Sequence, residues 1–254
     1  MRLPVFGQEV PNLSSGAEGP QVLDTSLSRD CRVPGSKLYT LAQLRAVRAA
    51  LHEGRPLKVL ALGPSGTGGV GSGSASATYP SRLEEELEKR FSRIKVVVEH
   101  RSLPGDITAD AIERFTALVT EIEPNLVVWQ VGTNDALARA DVDAFTGALA
   151  EILEWLNQHD IDPVLVEPPY SSALVSDEHY TALRAAIRNS ARQNGVPVVL
   201  RFEALLYLSQ QRSEAARSQF ALSELGYKCM AEHIALTIDL SILQPSPLEI
   251  GPAK

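Results

Sequence analysis

Short runs of aliphatic residues alternate along this chain with stretches in which apolar residues recur at helical spacing. The first run, Val59 to Leu62, is ended by Gly63-Pro64, which is typical of a buried strand that stops at one edge of a sheet. Strands are predicted at 57–62, 94–99, 125–131, 163–166 and 197–200, and helices at 40–52, 80–91, 108–122, 142–156, 177–192 and 224–240. This alternation predicts an α/β protein whose parallel five-stranded sheet is covered by helices on both faces.

The pattern occupies residues 38–241 and predicts one domain, which suits a chain of 254 residues that is 44% hydrophobic. Its first helix is predicted to begin behind Thr40 as N-cap. Residues 1–37 are rich in glycine, proline and serine without periodicity and predict an irregular N-terminal arm. Residues 242–254 contain several prolines and predict a disordered tail.

The charge and composition of the chain exclude several classes of partner. A net charge of −7 without a cluster of Lys or Arg argues against nucleic acid. No apolar run is long enough to span a bilayer, and no GK[ST] string is present for a Walker A loop. We expect neither a metal nor a cofactor, because Cys31 and Cys229 are too few and too far apart for a metal site.

The two cysteines leave two interpretations open. They could form one disulfide, which would join the N-terminal arm to the last predicted helix and indicate an oxidising compartment. They could equally be two unrelated buried thiols. The first residues of the chain have no continuous apolar segment after Arg2, so as they stand they are not a secretory signal.

Three turns with unusual chemistry follow the first three predicted strands: residues 63–67, 103–106 and 132–135. Because parallel strands end at the same edge of a sheet, the Ser65 hydroxyl, the Gly105 N–H and the Asn134 amide are predicted to converge on one crevice. A nucleophile beside such donors could stabilise the oxyanion of a tetrahedral acyl intermediate. Asp135 could be either a ligand contact or a helix N-cap.

These turns resemble the sequence blocks of the SGNH, or GDSL-type, hydrolase superfamily, over about residues 58–238. GPSGTGG resembles the first block and places Ser65 at the nucleophile, while Gly105 matches the second-block glycine and Asn134, in VGTND, the third-block asparagine. The resemblance implies a flavodoxin-like three-layer α/β/α sandwich with strand order 2-1-3-4-5. It also implies hydrolysis or transfer of an acyl ester, such as acetyl on a carbohydrate.

The fourth block of that superfamily, DxxH before a Gly-Tyr pair, is altered here. Alignment on Gly226-Tyr227 places Ser218 at the aspartate and Ala221 at the histidine, so the general base and the group that orients it are both missing. Without a base the serine stays a protonated alcohol. His100, just beyond the second predicted strand, is the best-placed substitute base.

The other histidines are less well placed as a base. His179, at the start of a helix on the same edge, is second. His233 lies on the final helix, and His52 and His159 lie at helix ends on the opposite edge. These three suit solvated or core roles better.

The resemblance bears on the cysteines too. Cys31-Arg32-Val33-Pro34 and the Gly-Tyr-x-Cys position of Cys229 look like those of an exported bacterial subset of the superfamily. This implies one Cys31–Cys229 disulfide and a periplasmic location, with a cytoplasmic one if the thiols are free.

A dinucleotide-binding protein is a further alternative. Gly66 to Gly71 reads GxGxxG after a strand, and Glu99 ends the next strand where a ribose-binding acid would lie. Residues 72–77 intervene before the helix, which weakens this alternative because the pyrophosphate needs the helix N-terminus.

The sequence therefore predicts an SGNH hydrolase-like protein with impaired or lost catalysis. The alternative is an inactive pseudoenzyme that binds a glycan, an acyl ligand or a cell-envelope polysaccharide partner. We expect a monomer whose partner is a small-molecule ester or acylated glycan, and a protein partner stays open.

Overall fold

The structure is a computed structural model that describes residues 23–63, 79–103, 105–210 and 220–245. Its strands are β1 (Tyr39–Thr40), β2 (Leu57–Gly63), β3 (Val96–Ser102), β4 (Leu126–Gln130), β5 (Asp162–Val166) and β6 (Val198–Val199). Its helices are α1 (Arg45–Glu53), α2 (Tyr79–Arg90), α3 (Thr108–Ile122), α4 (Thr133–Ala138), α5 (Val142–Gln158), α6 (Glu178–Asn194), α7 (Arg201–Gln210) and α8 (Glu224–Ile242).

The strands form one sheet in the order β1-β6-β5-β4-β2-β3. β2 to β6 are parallel, and only the edge strand β1 runs antiparallel, to β6. The parallel part confirms the predicted order 2-1-3-4-5, since β2 is the first predicted strand and β3 lies outside it. The expected five strands are corrected to six, because two residues of strand are too short to produce an alternating pattern.

The helix predicted from Thr40 begins five residues later, at Arg45, and Thr40 belongs to β1. The N-cap residue is Leu44, whose side chain caps nothing. The free N–H groups are satisfied instead by the buried carboxylate of Asp162, which accepts from Arg45 N at 3.1 Å and from Val47 N at 2.9 Å. A cap supplied from another strand leaves no local signal in the sequence.

Two apolar clusters cover the faces of the sheet. On one face Leu60, Leu62 and Trp129 pack with α3, α5 and α6. On the other, Val59 and Ala61 pack with α1, α2 and α8. Burial on both faces explains why the strands are continuous aliphatic runs.

The N-terminal residues 23–38 dock onto α8. A disulfide joins Cys31 to Cys229, which confirms the bond implied by the resemblance. His233 Nε2 lies 2.7 Å from Cys31 O, and Ser28 N donates to Glu232 Oε2 at 2.8 Å. A third apolar cluster fills this interface, so α8 is buried on both sides. None of the helices in the described ranges is long and apolar enough to cross a membrane.

The disulfide closes a loop of 198 residues, so we expect its loss to be costly. The double variant Cys31→Ala/Cys229→Ala should lose about 2 to 5 kcal/mol of unfolding free energy, measured by urea denaturation. Dithiothreitol should lower the wild-type midpoint and leave that of the double variant unchanged. Equal midpoints for the oxidised wild type and the variant would contradict the expectation.

Asp162 should give the fold a measurable pH dependence. Burial, opposed by the backbone N–H bonds of α1, raises the pKa of Asp162 to about 6, above its value in the unfolded chain. Its contribution to stability is therefore complete below about pH 4 and lost as the pH rises through about 6. Relative to Asp162→Asn, the wild type should lose about 2 to 3 kcal/mol over that interval in urea unfolding. Asp141→Asn, at the exposed cap of α5, serves as the control and should follow the wild-type profile.

Candidate active site

The first three parallel strands end side by side at one edge of the sheet. Gly63, the last residue of β2, is in register with Ser102 of β3, and Leu62 with Trp129 of β4. Leu103 N donates to Gly63 O at 3.2 Å, so the second loop starts directly beside the first. The observed strand order brings the ends of β2, β3 and β4 to this edge, and the convergence of Ser65, Gly105 and Asn134 on one crevice stays a prediction. Ser65 and Ser218 lie outside the described residues, so their roles stay predictions.

Asn134 lies on the first turn of α4 and holds the second loop in place. Its Nδ2 donates to Leu103 O at 3.0 Å and to Asp106 O at 2.9 Å. An amide nitrogen has two hydrogens, and here both are donated to backbone carbonyls. To serve as the predicted oxyanion donor, Asn134 would have to exchange one of these bonds for the ligand.

Asp135 fastens the same loop from its other end. Its side chain is 2% exposed and accepts from Thr108 N at 2.8 Å and Thr108 Oγ1 at 3.0 Å. Thr108 is the first residue of α3, whose own N-cap residue Ile107 offers no side-chain acceptor. Asp135 therefore caps a neighbouring helix and not its own. Burial raises the pKa of Asp135, and the two bonds from Thr108 lower it.

Glycines allow both turns to form. Gly105 has φ +74°, and no heavy atom would lie within 4 Å of an added Cβ. Glycine is therefore favoured here by the backbone conformation and not by a lack of space for a side chain. Gly132 has φ +84°, and a Cβ there would also meet Ile187 Cδ1 at 3.0 Å. The predicted donor Gly105 therefore has a left-handed backbone conformation. It directly precedes Asp106, whose carbonyl oxygen accepts from Asn134 Nδ2.

The two candidate bases lie on different elements, His100 on β3 and His179 on α6. His100 lies inside β3, which extends to Ser102, and not beyond the strand as predicted; the polar residues after Val98 concealed its length. It pairs in register with Ala61, and burial, with a smaller effect of Arg101, lowers the pKa of His100. His179 Nε2 lies 2.6 Å from Ala140 O.

The remaining histidines have structural contacts. His233 is buried and binds Cys31 O. His159 Nδ1 lies 2.8 Å from Trp155 O, and its ring stacks on the indole. Because a carbonyl can only accept, the ring nitrogen facing it must bear the proton. His52 is exposed on α1, whose C-terminal end faces away from the loops after β2, β3 and β4.

The fourth sequence block forms the approach to α8. Ala221 is half-buried against the cluster under the N-terminal residues, and Ser223 caps the helix by accepting from Gly226 N at 3.0 Å. A Cβ on Gly226 would lie 2.0 Å from Phe220 O. Gly226 is therefore needed because the backbone of Phe220 passes too close for any side chain. This requirement does not depend on which residue occupies position 221.

Sequence reasoning missed a group of buried polar side chains at this edge: Tyr79, Gln130 and Arg201, which are 0%, 5% and 8% exposed. The available signal was the polar residue that follows an aliphatic run in LVVWQ and in PVVLR. Within the described ranges no group of three His, Cys, Asp or Glu side chains could hold a metal ion.

The chain belongs to the Non-GDSL lipase-like family, whose model matches residues 30–243. It is 26% identical over 140 residues to thioesterase 1/protease 1/lysophospholipase L1 of Escherichia coli (strain K12). That match covers 54% of this chain and 64% of the relative, less than two thirds of its length.

Solved structures of esterases share the fold. A crystal structure of TesA is similar with a TM-score of 0.59 and 19% identity, over 71% of this chain and 97% of that one. For the acetyl xylan esterase AlAXEase the TM-score is 0.60 and the identity 21%, over 72% of this chain and 100% of that one. For the two-domain esterase CEX, active on acetylated mannans, the TM-score is 0.64 and the identity 14%, over 83% of this chain and 57% of that one. At these identities the likeness shows the fold alone.

We expect Asp135 to be the costlier of two capping carboxylates. Asp135→Ala would leave Thr108 N and Oγ1 without an acceptor in a buried position, at about 2 to 3 kcal/mol. Asp141→Ala removes the exposed cap of α5, which accepts from Ala144 N at 2.8 Å, at about 1 kcal/mol. Urea unfolding of both variants measures the difference, and an equal or smaller loss for Asp135→Ala would contradict the structural role.

Proposed function

We propose that this protein is an SGNH hydrolase-like protein that binds an acyl ester, such as an O-acetylated carbohydrate, with impaired or lost hydrolysis. Its crevice would be formed by Ser65, Gly105 and Asn134. The observation that carries the proposal is Ala221, a methyl side chain at the position that the family resemblance gives to the general base. A methyl group cannot accept the proton that Ser65 must lose.

The contacts of the other groups support weak catalysis. Both amide hydrogens of Asn134 are donated to carbonyls, which lowers its availability for an oxyanion. His179 and His233 each bind a carbonyl oxygen. Serine hydrolases that lack triad members keep roughly 10³ to 10⁴-fold catalysis over water, so binding could persist where turnover is very slow.

The names of similar proteins support the ligand class. The E. coli relative is a thioesterase and lysophospholipase, and two of the similar structures are an acetyl xylan esterase and an esterase active on acetylated mannans. The chemistry common to these names is cleavage of a carboxylic ester or thioester. The Cys31–Cys229 disulfide further supports a periplasmic or extracellular site of action.

A catalytically competent esterase with His100 as substitute base is the second candidate. The observation in its favour is that burial lowers the pKa of His100, which keeps the ring neutral and able to accept a proton near pH 7. His100 also shares a sheet face with Val98, which packs with the α2 and α8 layer. This candidate predicts turnover that depends on both Ser65 and His100.

The test compares hydrolysis of p-nitrophenyl acetate and of an acetylated mannan oligosaccharide by the wild type, Ser65→Ala and the repaired Ser218→Asp/Ala221→His. We expect wild-type turnover close to that of Ser65→Ala. The repaired variant should gain at least about 10²-fold in kcat/KM, because a base and its orienting carboxylate are restored. Adding Ser65→Ala to the repaired variant should abolish the gain.

Wild-type turnover as fast as that of the repaired variant, and lost in Ser65→Ala, would overturn impaired catalysis. His100→Ala would then be compared with His179→Ala as the matched control. Loss in His100→Ala alone would establish the second candidate.

A further inference from the structure

One buried arginine, Arg201, lies near the phenols of Tyr79, Tyr180 and Tyr227. Arg201 is 8% exposed and follows β6 at the edge where the parallel strands end. Its Nη1 donates to Gln130 Oε1 at 2.8 Å, and Gln130 is the last residue of β4. In the described part of the chain no carboxylate forms an ion pair with Arg201. The ionisable groups that influence the pKa of Arg201 are Tyr79, Tyr227 and Tyr180.

In the described residues the other buried arginine, Arg184, and its half-buried neighbour Arg188 are both paired with carboxylates. Arg188 binds Glu167 and also donates from Nη2 to Glu203 Oε1 at 3.1 Å, and Arg184 Nη2 lies 2.7 Å from the same Glu203 oxygen. A buried charge is stabilised only when it is paired and hydrogen-bonded. Arg201 departs from that pattern, since its neighbours include the Gln130 amide and the phenols of Tyr79 and Tyr180, whose pKa burial raises to about 12.

Several donors around Arg201 lack an acceptor. Arg201 Nε is buried without an acceptor, and Gln130 Nε2 and Tyr79 Oη, although neighbours, form no hydrogen bond of good geometry. The Gln130 oxygen accepts from Arg201, so the amide nitrogen is left free to donate, and the Tyr79 hydroxyl lies beside the same amide. Gln130 and Arg201 both lower the pKa of Tyr79, which burial raises to about 12. The phenol is therefore a neighbour of both groups and is present as a donor.

We propose that Arg201, Gln130 and Tyr79 form a binding site for a small carboxylate. The Nε–Nη2 edge of a guanidinium matches the two oxygens of a carboxylate. With the Gln130 and Tyr79 donors, this edge could fill about four acceptor positions, which is what one carboxylate offers. A monoanion also balances the single positive charge, whereas a phosphate dianion would leave a buried excess of negative charge.

The test is isothermal titration of sodium acetate and sodium formate at pH 7.5, with sodium chloride holding the ionic strength constant. We expect saturable binding of acetate that chloride does not reproduce. Tyr79→Phe keeps the shape of the ring and should weaken acetate at least about ten-fold, through loss of one hydrogen bond to a charged acceptor. Tyr180→Phe is the matched control, because its hydroxyl donates to Pro169 O, and it should change the affinity less than about two-fold.

Arg201→Met should abolish binding, and far-ultraviolet circular dichroism checks that it folds. Should it fail to fold, Tyr79→Phe and Gln130→Leu decide the question. No saturable acetate binding, tighter binding of sodium phosphate than of acetate, or affinity unaffected by Tyr79→Phe and Gln130→Leu would each overturn the proposal.

Discussion

Two consecutive side chains, Asn134 and Asp135, fix the loop between β3 and α3 on which the candidate site depends. The amide donates to two carbonyls of that loop, and the carboxylate accepts from the N–H and hydroxyl at its far end. These hydrogen bonds act together with the apolar packing of Leu103, which is buried in the core cluster on one face of the sheet. The arrangement also links structure to chemistry, since a ligand that recruits the Asn134 amide must release part of the loop.

The features that the sequence predicted are those with a local signal. Aliphatic runs located β2 to β6, and the family resemblance implied their order, which the sheet confirms. The features that it missed depend on partners distant in the chain. Asp162, more than a hundred residues away in the chain, replaces a local cap for α1. In α7 the six buried residues include Arg201 and Ser209, so apolar residues do not mark out its buried face. The roles of Ser65 and Ser218 stay predictions.

The approach to α8 explains how a hydrolase motif can persist without its chemistry. Gly226 is needed because the carbonyl of Phe220 passes over it, and Ser223 is needed to cap the helix. Cys229 and His233 on the same helix bind the N-terminal residues. These requirements concern backbone packing and hold equally with histidine or alanine at position 221. The Gly-Tyr pair is therefore evidence for the fold and not for catalysis.

Carboxylate binding at Arg201 would couple ligand and stability. The bound anion would neutralise a charge that the native state alone must bury unpaired, so binding would stabilise the fold by mass action. The same burial opposes rapid exchange, because Tyr79 and Tyr227 lie on α2 and α8, which cover this face of the sheet. Entry would require these helices to separate locally, and their mutual packing would then set the rate of exchange. A site of this kind suits a ligand retained by the protein better than a substrate in rapid turnover.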